Sequence, residues 1–362
     1  MKSKAMVLKK FRSPLELVEF DIPTLKYGQI LVKMSAAGVC GSDVHMWQGE
    51  DPRTPLPIIL GHEGVGTVVE VKGNKNYVEG SKIKTSHKIL WNRGIVCGKC
   101  YYCTVLKEPS LCPNRKVYGI NMSSDIAPYV NGCYSEYIVL DANTDVFKIQ
   151  EDIDPAILVS ASCSGATTAH AFDMISNCIG QTIVIQGPGP IGVYSVAFSK
   201  ALGASNIIVI GGSENRLDLC SEFGATHILN RKLLKSEEIK QTIMDITLGR
   251  GADVIVEAAG TRGAAKEGLQ LLRMGGTYLS TGYAQPVGSE SIDFYADVVR
   301  KNVTIKGVWV SDTSHTYKAM NLVINNKDLF SKMVTHRFSL ENANEALNSM
   351  YTKEALKAVL EF

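Results

Sequence analysis

Thr182-Ile-Val-Ile-Gln186-Gly187-Pro-Gly189-Pro190-Ile191-Gly192 is the stretch on which the fold turns. A short apolar, β-branched run reads as a buried strand, and the G-x-G-x-x-G that follows it directly reads as a turn opening a helix. Gly187 makes the tight turn, Gly189 lets the backbone approach a pyrophosphate, and Gly192 lets the helix pack closely on the strand. The helix N-terminus, with Pro190 and Ile191, then faces the phosphates of a dinucleotide. The same texture continues downstream. Strands are expected at Asn206–Ile210, His227–Leu229, Asp253–Glu257, Thr277–Thr281 and Val303–Lys306, with helices such as Gly192–Leu202, Asn215–Phe223 and Arg262–Leu272 between them. Strand and helix in alternation imply a parallel, doubly wound sheet that binds its ligand at the carboxyl ends of the strands.

An acidic residue about 20 positions beyond the glycines would accept the ribose 2′-hydroxyl of NAD. At the end of the second strand stands Gly211-Gly212-Ser213 instead. A missing carboxylate removes the repulsion that excludes a 2′-phosphate, and Ser213, Arg216 and Arg231 offer contacts to one, so NADP is expected over NAD. Glu214 keeps the other reading open, since it could take the hydroxyl from a neighbouring position.

Upstream, residues 1 to about 150 change character, with short β-patterned runs such as Ile30–Met34 and Thr67–Val71 separated by Gly, Pro and Asn. Here Cys40-Gly-Ser42-Asp43-Val-His45 and Gly61-His62-Glu63 gather a thiol, a hydroxyl, two imidazoles and two carboxylates. A catalytic zinc takes three such ligands and keeps a fourth position open, with neighbouring groups to orient the ligands and carry a proton. Cys97, Cys100, Cys103 and Cys112 form C-x2-C-x2-C-x8-C, which closes a tetrahedral zinc site in one loop and leaves no position for chemistry. Cys163, in Ser162-Cys163-Ser-Gly-Ala-Thr167, opens a helix leading into the nucleotide-binding half. Cys133, Cys178 and Cys220 have no partner logic and read as buried thiols.

The composition narrows the classes further. A net charge of +2 gives no footprint for nucleic acid or an anionic membrane surface. No apolar run approaches the roughly 18 residues of a membrane span, and the N-terminus has no signal-type apolar core. Nine cysteines without a secretion signal read as metal ligands and thiols rather than disulfides, and a cytoplasmic protein is expected.

Taken together and in order, Cys40-x-Ser42-x-x-His45, Gly61-His62-Glu63, the four-cysteine loop, Cys163 and the G-x-G-x-x-G resemble the zinc-containing medium-chain alcohol dehydrogenases, in the sorbitol and threonine dehydrogenase-like branch, over essentially the full length. The resemblance implies an α/β fold with a Rossmann domain at 154–304 and a β-rich GroES-like catalytic domain at 1–153, its zinc lobe at about 92–118. Residues 305–362 would return to the catalytic domain. It assigns Cys40, His62 and Cys163 to a catalytic zinc, the Cys2His set known of alcohol dehydrogenases, and the four-cysteine loop to a structural one. It makes Glu63 the neighbouring carboxylate, Asp43 the group that fixes the His62 tautomer, Ser42 and His45 a proton relay, and Thr167 and Ile191 neighbours of the nicotinamide.

The activity so implied is hydride transfer between a secondary alcohol and NAD(P), giving the ketone, in a homodimer or homotetramer. Arg93 matches a pocket position that is often aromatic in the family. An arginine there points to a polyol, or to an anionic sugar-derived substrate; the other reading is that it pairs with a carboxylate of the protein. Trp47 and Trp309 are expected as apolar walls. Three other readings stay open: an amino-alcohol dehydrogenase resembling threonine 3-dehydrogenase, a broad-range alcohol dehydrogenase, and a catalytically silent NAD(P)-binding protein. The departures from the family pattern, at Lys72, at Gly80-Ser81 and in the longer spacing before Cys112, fall in turns or in the lobe.

Overall fold

The computed structural model describes residues 1–149, 152–175 and 177–362. The chain divides into two compact units, Met1–Ala166 with Val310–Phe362, and Thr167–Trp309.

The first unit is built around the strand Ile30–Val39, nearly every residue of which is buried. It pairs antiparallel with Glu63–Val71, with Tyr137–Leu140 and with Ala358–Glu361, which closes the sheet with the end of the chain. The register sets Gly38 opposite Glu63 and Val39 opposite Ala358, so the strands on either side bring Glu63 and Lys357 together. Gly38 is required there for space: a Cβ would stand 2.1 Å from Glu63 Oε2. The core packs Ile30, Val32, Ile59, Trp91, Ile138 and Leu360 with almost no exposure. At roughly 1.5–3 kcal/mol for each large apolar side chain, such a core makes the unit rigid enough to hold a site.

The second unit is a six-stranded parallel sheet in the order His227–Asn230, Asn206–Gly211, Thr182–Gln186, Ala252–Glu257, Leu272–Ser280, Thr304–Gly307. Counted within the unit this is 3-2-1-4-5-6, with the order reversing beside Thr182–Gln186, where doubly wound sheets bind dinucleotides. All five residues of that strand are buried, which is why it reads as an unbroken apolar run without polar alternation. The expected strands and helices fall within a few residues of their places. The exception is the start of Leu272–Ser280, where the helix Ala264–Leu271 passes straight into the strand with no loop between.

Candidate functional site

Cys40 caps the helix Gly41–Gln48, and Asp43 closes the capping box by accepting from the Cys40 backbone N–H at 2.8 Å. The same buried carboxylate accepts from Tyr134 Oη at 3.1 Å and from the Gly61 N–H at 3.3 Å. Asp43 therefore joins the two segments that supply Cys40 and His62. Its Oδ1 also lies 3.3 Å from His62 Nδ1, at ion-pair distance but without hydrogen-bond alignment. Cys163 arrives from a third segment, at the end of the 3-10 turn Val159–Ser162.

Cys40, His62, Glu63 and Cys163 bring one ligand atom each to within 4.8 Å of one another. His62 is fully buried, and both its ring nitrogens lack a hydrogen-bond partner. An orphaned imidazole beside two thiols is costly unless a cation accepts its lone pair. A tetrahedral zinc with bonds of about 2.3 Å to sulfur spaces its thiolates ~3.8 Å apart; Cys40 Sγ and Cys163 Sγ are 3.8 Å apart. The donor set fits the metal.

The electrostatics agree. Burial opposes a charge on His62, but Asp43 and Cys40 outweigh it and push the imidazole up to about 9. The hydrogen bond from Cys163, with the nearby His62 and Lys357 cations, holds Cys40 well below the usual thiol range. A thiol that gives up its proton readily, beside an imidazole in anionic surroundings, offers a divalent cation a thiolate and a nitrogen ligand.

Glu63 does not stand free beside the cluster. Lys357 Nζ reaches Glu63 Oε2 at 2.7 Å, with both side chains buried, and also donates to the Val39 carbonyl at 3.4 Å. Ser42 Oγ lies 3.7 Å from Cys40 Sγ. His45, one turn along the same helix, binds Glu50 Oε2 through Nδ1 at 2.8 Å, and among the described residues no hydrogen bond joins it to Ser42. Arg93 is buried beside the cluster with Nη1 2.6 Å from Cys163 Sγ, so it meets a thiol rather than a carboxylate.

Trp47, expected as an apolar wall, is partly buried on the first unit's core. Its indole donates to the Ser13 carbonyl at 2.8 Å and packs edge-on against Tyr351, on the flank of the helix Ala343–Tyr351. Trp309 closes the second unit and is 45% exposed.

The other cluster is simpler. Cys100 Sγ lies 3.5 Å from Cys103 Sγ and 3.9 Å from Cys112 Sγ, which is 3.6 Å from Cys97 Sγ. These separations fit the edges of a thiolate tetrahedron that a zinc ion would close.

In the second unit the glycine turn has the geometry a pyrophosphate needs. Gly187 has φ +103°, a Cβ on Gly192 would stand 1.9 Å from the Gly187 carbonyl, and nothing lies within 4 Å of a Cβ on Gly189. That open face lies at the start of the helix Pro190–Ala201. Thr167 is buried, and its neighbour Thr168 donates to the Ile191 carbonyl at 3.5 Å. Ser213 is exposed at the start of the helix Glu214–Phe223, next to Gly211 and Gly212, and Arg216 is half-buried one turn further on. Arg231 is held by Glu267 at 3.0 Å. Lys232 lies beside Gly212 too, its Cε 3.7 Å from where a Cβ there would stand.

Comparison with known proteins fits this geometry. Residues 190–325 match the zinc-binding dehydrogenase family, and residues 26–151 match the alcohol dehydrogenase GroES-like domain. A solved alcohol dehydrogenase from Thermotoga maritima is 53% identical, with a TM-score of 0.97 over 100% of this chain and 99% of that one. The chain belongs to the zinc-dependent alcohol dehydrogenase family. It is an oxidoreductase acting on alcohols. L-threonine 3-dehydrogenase of Escherichia coli K12 is 30% identical over 99% of each chain. A zinc-binding dehydrogenase from Sinorhizobium meliloti, solved bound to NADP, is 25% identical with a TM-score of 0.87 over 100% of each.

Sequence reasoning missed four residues of this dehydrogenase: Lys357, Tyr134, Glu50 and Lys232. Only Lys232 carried a local signal, as a cation two strands' ends away from the glycine turn; the rest are set by contacts between distant segments. Among the described residues no helix is long and apolar enough to cross a membrane.

Proposed function

We propose that this enzyme interconverts a secondary alcohol, polyol or sugar-derived, and its ketone, with NADP preferred over NAD and two zinc ions per chain. The observation that carries the reading is the buried Cys40–His62–Cys163 cluster, with no hydrogen bond at either imidazole nitrogen. When bound, zinc supplies Lewis-acid polarisation of the substrate oxygen, and the nicotinamide supplies or accepts hydride.

The chain's own residues do the rest. Asp43 orients the His62 ring, so that the nitrogen away from it is the ligand. Ser42 Oγ takes the alcohol proton and His45 passes it toward solvent, its ring held by Glu50. Lys357 neutralises Glu63, keeping a second anion from competing for the substrate position. The open backbone at Gly189 receives the pyrophosphate, with the start of the following helix favouring its charge. Ser213, Arg216 and Lys232 would receive a 2′-phosphate, and the NADP-bound relative supports that preference. Cys97, Cys100, Cys103 and Cys112 hold the second zinc and order the lobe. The strand Thr304–Gly307 ends its sheet with Ile305 exposed, which supports pairing with a second copy in a homodimer or homotetramer.

A second reading, L-threonine as substrate, is favoured by the 30% identical threonine dehydrogenase; a substrate ammonium beside Arg93 weighs against it. Initial rates with NADP and NAD across simple secondary alcohols, polyols and L-threonine test both. Faster polyol oxidation with NADP is expected. Turnover confined to L-threonine would move the assignment, and no turnover by zinc-loaded, cofactor-bound protein would make the chain a silent binding protein.

A further inference from the structure

The hairpin at the root of the lobe carries a buried arginine, Arg93, and a half-buried one, Arg115, neither with a carboxylate partner among the described residues. Gly94–Ile95 pairs antiparallel with Lys116–Val117, and the Arg115 side chain reaches back along this hairpin to Gly94, the neighbour of Arg93. Arg93 is 5% exposed; Nη1 meets Cys163 Sγ, and Nε is buried with no hydrogen-bond partner. The Arg115 guanidinium lies over Gly94, where a Cβ would stand 2.3 Å from Nη2, and among the described residues its one hydrogen bond is to the Ser311 carbonyl at 3.4 Å. Burial first, then repulsion from Arg93 and Arg53, disfavours its charge.

Arg53 makes the contrast. It is gripped by Asp51 at 2.9 Å from Nε and 2.6 Å from Nη2, whereas among the described residues Arg93 and Arg115 have no carboxylate partner. A buried cation is costly unless paired. The sulfur contact does not supply the missing charge, because a zinc ion held by Cys40 and Cys163 would cancel both thiolates. An orphaned guanidinium nitrogen thus lies in the same buried side chain that touches a candidate metal ligand.

We propose that Arg93, backed by Arg115, is an anion clamp that selects alcohols carrying a carboxylate or phosphate a few bonds from the reacting hydroxyl. A planar guanidinium fits either oxyanion with paired hydrogen bonds, which a neutral polyol cannot reproduce. The proposal rests on the dehydrogenase reading above and names its substrate class.

The test compares sorbitol with gluconate and sorbitol 6-phosphate, in steady-state kinetics and in calorimetric titration of zinc-loaded protein, for the wild type, Arg93→Gln, Arg93→Lys and Arg115→Gln. The wild type is expected to favour at least one anionic polyol roughly tenfold in kcat/KM, and the better of the two tells carboxylate from phosphate. Arg93→Gln should collapse that ratio about tenfold, chiefly through KM, with Arg93→Lys partly restoring it and Arg115→Gln giving a smaller loss. Equal or better use of sorbitol by the wild type overturns the clamp. So does a loss in Arg93→Gln shared equally by all three substrates, which would make Arg93 a positioning residue for Cys163. If nothing turns over, titration separates the two claims. Anion-selective binding lost in Arg93→Gln keeps the clamp and sinks the dehydrogenase reading, whereas unselective binding sinks the clamp. Should Arg93→Gln fail to fold, the anion-to-neutral ratio in Arg115→Gln decides.

Discussion

Two sulfur clusters sit in one unit of this enzyme, and they are built in opposite ways. The lobe draws Cys97, Cys100, Cys103 and Cys112 from a single loop, and their sulfurs meet one another. The other cluster draws Cys40, His62 and Cys163 from three distant segments and surrounds them with charge: Asp43 against His62, Lys357 against Glu63, Arg93 against Cys163. A site that only holds shape can be closed, local and electrically plain. A reactive site needs an open position, oriented ligands and balanced neighbours, and only a folded sheet can bring those together.

The contrast predicts that damage to the two clusters separates into different losses. His62→Ala should cost on the order of a thousandfold or more in kcat/KM, the equivalent of several kcal/mol of lost metal assistance, with little change in Tm. Steady-state kinetics beside a thermal melt would read both, and a collapse in stability without a matching kinetic loss would reverse the assignment. Cys100→Ser should do the opposite, lowering Tm by roughly 10 °C while the folded fraction keeps most of its kcat.

Lys357→Met probes the charged surroundings. Leaving Glu63 buried without its cation should destabilise the first unit by about 3–5 kcal/mol, and Glu63→Gln in the same chain should recover most of it. Denaturant unfolding of the single and double variants checks this; additive losses would mean that the pair is not coupled. The smallest effect belongs to Asp43→Asn, which should weaken zinc binding at the Cys40 site by roughly 10–100-fold, read by competition with a chelator, and leave the lobe's zinc in place.

The same contrast explains what the sequence revealed. The lobe and the glycine turn were legible because their chemistry lies within a few residues of chain, and the parallel strands because burial on both faces makes them unbroken apolar runs. Lys357 was not legible: its partner Glu63 lies 294 positions away, and their meeting depends on the register of two strands against Ile30–Val39. Arg93 left two readings open, a substrate contact or a protein carboxylate, and its contact with Cys163, 70 positions away, could not be read from its own segment. The contact of Trp47 with Tyr351, more than 300 positions along the chain, was likewise not legible in the motif that contains it.

The central claim is that one cluster holds a zinc for chemistry and the other a zinc for shape. The direct measurement is zinc per chain, by plasma emission, in the wild type, His62→Ala and Cys100→Ser, each assayed for alcohol oxidation. Two zincs are predicted in the wild type and one in each variant, with activity following the His62 site alone. Full activity in His62→Ala, or activity lost with the lobe's zinc while the other remains bound, would contradict the account.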